Sequence, residues 1–392
     1  MAGPFWTDSK SLLFESIADL LDIPPSYYKK ARDRYRSLGD WLHRDESKVA
    51  ALNPEVYSQG SFRYGTVNQP LLKTEEYDLD LVCEVILSKD DVTQKHVKHL
   101  LGEEIKAYAQ ANGIKAPVIE RNRCWRLDYA DKVLFHMDAL PCVPEDQQTI
   151  DDICGQGVPR ELAGLSIAIT DKKGEHYDDI TGDWPCSNPR GIGNWFEEKA
   201  RPSATKRLYE LVEQRAYKSI DEIPSYEWKT PLQRAIQILK RHRDVMFATA
   251  PDFAPISMII TVLAGQAYQG ETSLYAAIKG IVDRLPEHVA STKPRIPNPV
   301  NHGEDFTDRW ASDSRYEKNF WLWHTAVNAD VENLPALLGD ERLVKEVRKS
   351  FRVDLTEDQT KELTPRIKVP AEAKAVPTIH IGSAPKPWQH GG

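Results

Sequence analysis

One short stretch limits the folds open to this 392-residue chain: Tyr77-Asp78-Leu79-Asp80-Leu81-Val82. Side chains alternate along a strand, so Asp78 and Asp80 share one face while Leu79 and Leu81 share the other. The apolar face needs a core. The acidic face needs a countercharge, because two carboxylates about 4 Å apart repel by about 4 kcal/mol at an effective dielectric near 20. A divalent cation removes that cost, and an all-oxygen donor set favours Mg²⁺ or Mn²⁺. Upstream lies Gly60-Ser61-Phe62-Arg63-Tyr64-Gly65-Thr66, a glycine-serine turn whose amides and hydroxyl suit a phosphate. The pair reads as a metal site beside a phosphate cradle.

A third acid completes such a site. Lys132-Val133-Leu134-Phe135-His136-Met137-Asp138-Ala139-Leu140-Pro141 is expected to form a buried strand that stops at Pro141, with Asp138 near its end. Three carboxylates can hold two cations roughly 3.5–4 Å apart, the arrangement used for in-line displacement at phosphorus. His136 shares the face of Asp138 and is expected to satisfy a local hydrogen bond rather than bind metal. His96 and His99, on an early helix, are not expected to bind zinc.

With 41% hydrophobic and 28% charged residues, the composition is that of a globular protein able to bury a large core. No apolar run reaches the length of a membrane span, and the first residues carry no signal-peptide pattern. The cysteines are odd in number and never form a Cys-x-x-Cys pair, which points to reduced thiols and a cytoplasmic location. A formal charge of −8 gives no global attraction to nucleic acid.

Helical spacing over residues 8–22 and from about Pro25 to Ala51 leads into the glycine-serine turn and the acidic strand. A helix from about Val92 to Asn112 follows, then strands near Ile119 and from Cys124 to Tyr129. The expected core is a mixed sheet with flanking helices, palm-like in shape. Residues from about Glu145 to Arg201 are rich in glycine and proline and read as a long functional or lid-like loop. Beyond them the chain is mostly helical, with its clearest start at Thr230-Pro231-Leu232-Gln233, a capping box with proline at the first helical position. The expected division is a catalytic core with N-terminal helices at 1–210, a helical lobe at 211–365 and an extended tail at 366–392.

Gly60-Ser61, Asp78-x-Asp80 and Asp138 together resemble the active-site signature of DNA-polymerase-β-like nucleotidyltransferases. The helix from Leu232 to Asp244 and the stretch from Asn298 to Trp310 sharpen the resemblance to the bacterial cGAS/DncV-like nucleotidyltransferases, or CD-NTases. It spans roughly residues 8–350. One departure is the gap from Ser61 to Asp78, longer than in the commonest pattern. The resemblance implies an α+β fold, a polymerase-β-like core plus a helical C-terminal lobe with the active site in the cleft between them. It implies synthesis of a cyclic di- or trinucleotide from ATP, GTP or other NTPs, with an adenine-containing trinucleotide the favoured product. Antiphage signalling (the CBASS system) through a cyclic-nucleotide-activated effector goes with it.

On that resemblance Asp78, Asp80 and Asp138 hold two Mg²⁺ or Mn²⁺ ions, and Gly60 and Ser61 bind the terminal phosphates. By position in the lobe, Lys240 and Ser257 are candidate triphosphate contacts. Lys240 reads equally as part of a solvated basic face, and Ser257 as a helix cap after Pro255. Arg309 and Trp310 are expected to pack the lobe rather than touch a base. The terminal Gly391-Gly392 resembles the substrate of a ubiquitin-transfer-like E1/E2 partner, making Gly392 a candidate conjugation site or an ordinary chain end. An RNA-end nucleotidyltransferase and a catalytically idle nucleotide-binding scaffold are the alternatives.

Overall fold

The computed structural model describes residues 9–72, 75–129, 135–201 and 229–363. Two cores organise them. The first backs a mixed sheet. Strands β1 (Glu55–Ser58), β2 (Tyr77–Glu84), β3 (Ile119–Glu120), β4 (Trp125–Tyr129) and β5 (Phe135–Pro144) lie in the order β1-β2-β5-β4-β3. β2 and β5 run parallel, with Leu79 opposite Met137 and Leu81 opposite Ala139. These four side chains are fully buried. They pack under helices α2 (Pro25–His43) and α4 (Gln94–Ala111), which supply Tyr28, Tyr35, Leu38, Val97, Leu101 and Ile105. α2 opens with a proline at its first position, and the side chain of Thr93 caps α4 by accepting from the His96 amide.

The second core is mainly helical. α1 (Ser9–Leu21), α7 (Pro189–Ala200) and α8 (Pro231–Met246) join it, together with the helices Ser257–Ala267, Leu274–Arg284 and Ser314–Asn333. The α8 capping box forms as its sequence predicts. α1 contributes Leu13, Phe14 and Ile17 to this cluster, so the first helix belongs with the helical lobe rather than with the catalytic sheet. The expected boundary near residue 210 and the tail 366–392 lie outside the described residues.

Two expectations are corrected. β5 does not stop at Pro141 but runs to Pro144, which leaves Asp138 inside the strand. β5 pairs with β4 as far as Ala139 and with β6 (Ile167–Ile169) from Cys142. The Pro141 carbonyl accepts from Thr170 on that same edge, so the missing proline N–H falls where one neighbour gives way to the next. The pairing with β2 on the other edge is untouched. The stretch from Glu145 to Arg201 is not a lid either. It forms α5 (Gln147–Gly155), α6 (Arg160–Ala163), β6, β7 (Cys186–Ser187) and α7, which extend the sheet and tie it to the helical core.

Candidate active site

The parallel register of β2 and β5 sets Asp78 beside His136 and Asp80 beside Asp138, all on the face opposite the core. Antiparallel β4 adds Arg126 directly across from Asp138. Ligand atoms of Asp78, His136 and Asp138 lie within 4.8 Å of one another. Asp80 is turned towards the start of α3 (Gly60–Tyr64), where Gly60 has φ +65°. A Cβ on Gly60 would sit 2.5 Å from an Asp80 carboxylate oxygen, so both the left-handed backbone and the close approach demand glycine. The Gln59 amide donates to the Asp80 carbonyl at 2.9 Å and locks the turn to the strand.

Charge is unevenly compensated on this face. Arg126 grips Asp138 with two hydrogen bonds, Nε to Oδ1 at 2.8 Å and Nη2 to Oδ2 at 2.5 Å. His136 lies between two acids, with Nε2 2.9 Å from Asp78 Oδ1 and Nδ1 3.1 Å from Glu76 Oε2. The hydrogen bond to Asp78 is the chief reason the imidazole titrates above its ordinary value. Among the described residues Asp80 has no such partner. Burial pushes its carboxyl up to about 7, and the Asp78 and Asp138 carboxylates push the same way. A buried carboxylate facing two others is short of positive charge. The donor set therefore fits a hard divalent cation, with Asp78, Asp80 and Asp138 as the residues that would hold it.

The facing wall belongs to α8 and to the helix Ser257–Ala267. A cavity of about 340 Å³ runs between the two walls, lined by Ser61, Glu76, Asp78, Lys240, Arg243 and Ser257 among others. Lys240 is not part of a solvated basic face. It is 8% exposed, its Nζ donates to the Thr66 carbonyl at 3.1 Å, and burial lowers its pKa to about 8. Arg241, His242 and Arg243 are buried with it. Ser257 is the first residue of its helix after the cap residue Ile256, and its hydroxyl accepts from Arg243 Nη2 at 2.9 Å. Trp310 packs against Phe320 with ring centres 5.2 Å apart, as expected of a lobe residue. Arg309 instead lines a second chamber beside the first. Gly392 lies outside the described residues.

Sequence reasoning missed Arg126, Arg243 and the brace from Glu76 to His136. Arg243 carried a local signal, since it lies three residues from Lys240 and so shares its helix face. Arg126 carried none, because its contact depends on β4 lying next to β5.

The family described as cyclic GMP-AMP synthase DncV-like, nucleotidyltransferase domain, matches residues 54–141. That range holds the glycine-serine turn and all three acids. A c-di-GMP synthase of Roseivirga ehrenbergii is 28% identical over 311 residues, 78% of this chain and 74% of that protein. Residues 54–141 therefore carry a DncV-like nucleotidyltransferase domain. The cyclic dinucleotide synthase CdnG of Bradyrhizobium diazoefficiens is 25% identical over 325 residues, 78% of the chain and 71% of that protein. The fold of this nucleotidyltransferase is similar to that of the Bradyrhizobium diazoefficiens CD-NTase CdnG solved with GTP. The TM-score is 0.64 at 19% identity, covering 91% of this chain and 98% of that one.

Proposed function

We propose that the enzyme condenses two nucleoside triphosphates into a cyclic dinucleotide and releases pyrophosphate, with GTP among its substrates. The observation that carries this reading is Asp78, on the acid face that β2 shares with β5, set across one cavity from Lys240 and Ser257. The relatives named above make cyclic dinucleotides, which favours a guanine-containing dinucleotide over an adenine-containing trinucleotide. Ser61 and Lys240 bind the triphosphate of the donor nucleotide, whose charge offsets the burial that lowers the Lys240 pKa. Asp138, held by Arg126, orients the attacking ribose hydroxyl. His136 and Glu76 fix the direction of Asp78. Two Mg²⁺ or Mn²⁺ ions held by Asp78, Asp80 and Asp138 would supply activation of the hydroxyl and charge neutralisation at the leaving pyrophosphate. Most of the acceleration is positioning and electrostatics, which fixed side chains on strands supply.

The test incubates the protein with GTP, ATP or both and Mg²⁺, then treats the reaction with phosphatase and reads it by mass spectrometry. A phosphatase-resistant cyclic dinucleotide is expected. Linear products alone, or none, overturn the reading. Free cysteines throughout agree with a cytoplasmic setting, and no described helix is long and apolar enough to cross a membrane. We place the product in antiphage signalling to a separate effector, and Gly392 as the point where an E1/E2-like partner conjugates the chain. Absence of a glycine-linked adduct after incubation with that partner and ATP would remove the conjugation step.

A further inference from the structure

Past Arg243 and Ser257 the nucleotide cavity opens into a second chamber of about 690 Å³, a size typical of small-molecule sites at roughly 300–1,000 Å³. Leu71, Glu75, Arg243, Asp244 and Ser257 border both spaces, so one ligand can occupy the two together. The walls of the second chamber include flat or apolar groups: Phe247, Pro255, Ile256 and Tyr316. Ile256 is 39% exposed at this surface. Two charged residues, Asp252 and Arg309, also line it. Among the described residues neither side chain has a hydrogen-bond or ion-pair partner. Asp244 differs, since Arg243 Nε already holds it at 2.5 Å.

This set of groups is selective. Flat apolar walls accept the faces of a heterocycle. A carboxylate accepts from the N1–H and 2-amino group of guanine, and a guanidinium donates to guanine O6 and N7. Adenine offers a lone pair at N1, which a carboxylate repels, and has no O6. We propose that the chamber holds the base of a guanine nucleotide whose triphosphate lies beside Ser61 and Lys240. Asp252 reads the N1–H and 2-amino edge, and Arg309 reads O6 and N7. The inference rests on the function proposed above and names its base.

Calorimetry with the full chain, Mg²⁺ and the α,β-methylene analogues of GTP, ITP and ATP tests it. The wild type binds GTP tightest, then ITP, which lacks the 2-amino group, then ATP. Asp252→Asn weakens the GTP analogue roughly ten- to hundredfold, the range for one bidentate base contact, and strengthens the ATP analogue, whose N1 no longer faces a carboxylate. Arg309→Gln weakens the GTP and ITP analogues together, because both carry O6 and N7. Circular dichroism confirms that each variant is folded. Equal affinity of the wild type for the GTP and ATP analogues overturns the proposal, as does equal weakening of all three in Asp252→Asn. Cyclic product formation is scored separately. A cyclic product together with unaltered base preference in Asp252→Asn sinks the base assignment alone, whereas a wild type that binds no nucleotide sinks the proposed function with it.

Discussion

The two walls of the cleft are charged by opposite means. On the sheet, Asp78, Asp80 and Asp138 come from adjacent positions of neighbouring strands, and their register brings like charges together. On the helical side, Lys240 and Arg243 are buried cations, each held by hydrogen bonds to the chain. The acid wall has more charge than its partners neutralise. The basic wall is nearly closed by internal contacts: Lys240 to the Thr66 carbonyl, Arg241 to the Gln69 carbonyl, and Arg243 to the Pro255 carbonyl and Ser257. The first wall is poised to take up cations. The second offers a fixed positive surface to a polyphosphate.

The sharpest way to break this contrast is to neutralise the acid wall. Asp78→Asn with Asp80→Asn keeps the shapes and hydrogen-bonding capacity of both side chains while removing two charges. Cyclic product formation is expected to fall by at least 10²–10³, the order of loss for one stabilising group at a phosphoryl or acyl centre. Circular dichroism should be unchanged, since the core face of β2 is untouched. Near-normal turnover in the double variant would refute the assignment.

The Asp78 and Asp80 part of the acid wall was legible in the sequence because everything it needs is local. Alternation in Tyr77–Val82 fixes the face, and a glycine before Ser61 marks the tight turn. The same alternation explains why Leu79 and Leu81 are buried. The rest depends on distant parts of the chain. Arg126 reaches Asp138 only through the order β5-β4. The run Lys240-Arg241-His242-Arg243 reads by composition as a surface, because charged residues are seldom fully buried. Lys240 and Arg241 are satisfied in the interior because carbonyls more than 170 positions away accept their hydrogens. Pro141 misled for a related reason: a proline ends a strand unless its missing donor faces a gap between neighbours, and that gap is a property of the sheet.

The basic wall supplies the next test. Lys240→Met keeps the length and apolar stem of the side chain but removes the ammonium. Hydrogen bonds to charged groups contribute about 1.5–3 kcal/mol, so kcat/KM for the nucleotide should fall roughly ten- to hundredfold. Mn²⁺ binding to the nucleotide-free protein, followed by electron paramagnetic resonance, should not change. A loss of metal affinity instead would mean that Lys240 acts on the acid wall rather than on the triphosphate.

The smallest effect is in stability, and it isolates the uncompensated charge on Asp80. With no cation bound, burial and the neighbouring acids hold its carboxyl near 7, above the ordinary value near 3.9. A raised folded-state pKa gives stability that is present below the unfolded value and lost as pH rises through about 7. Metal-free wild type should therefore lose melting temperature between pH 6 and pH 8 relative to Asp80→Asn, whose amide does not titrate. His136 also titrates high and loses stability in the same direction; it is present in both proteins, so the difference reports Asp80 together with its coupling to His136. Adding Mg²⁺ or Mn²⁺ at pH 8 should raise the wild-type melting temperature by more than that of the variant, because the ion supplies the missing countercharge only where Asp80 is ionised. Parallel melting curves for the two proteins across this pH range would mean that Asp80 already has its countercharge, and the contrast between the two walls would then reduce to Asp78 and Asp138 alone.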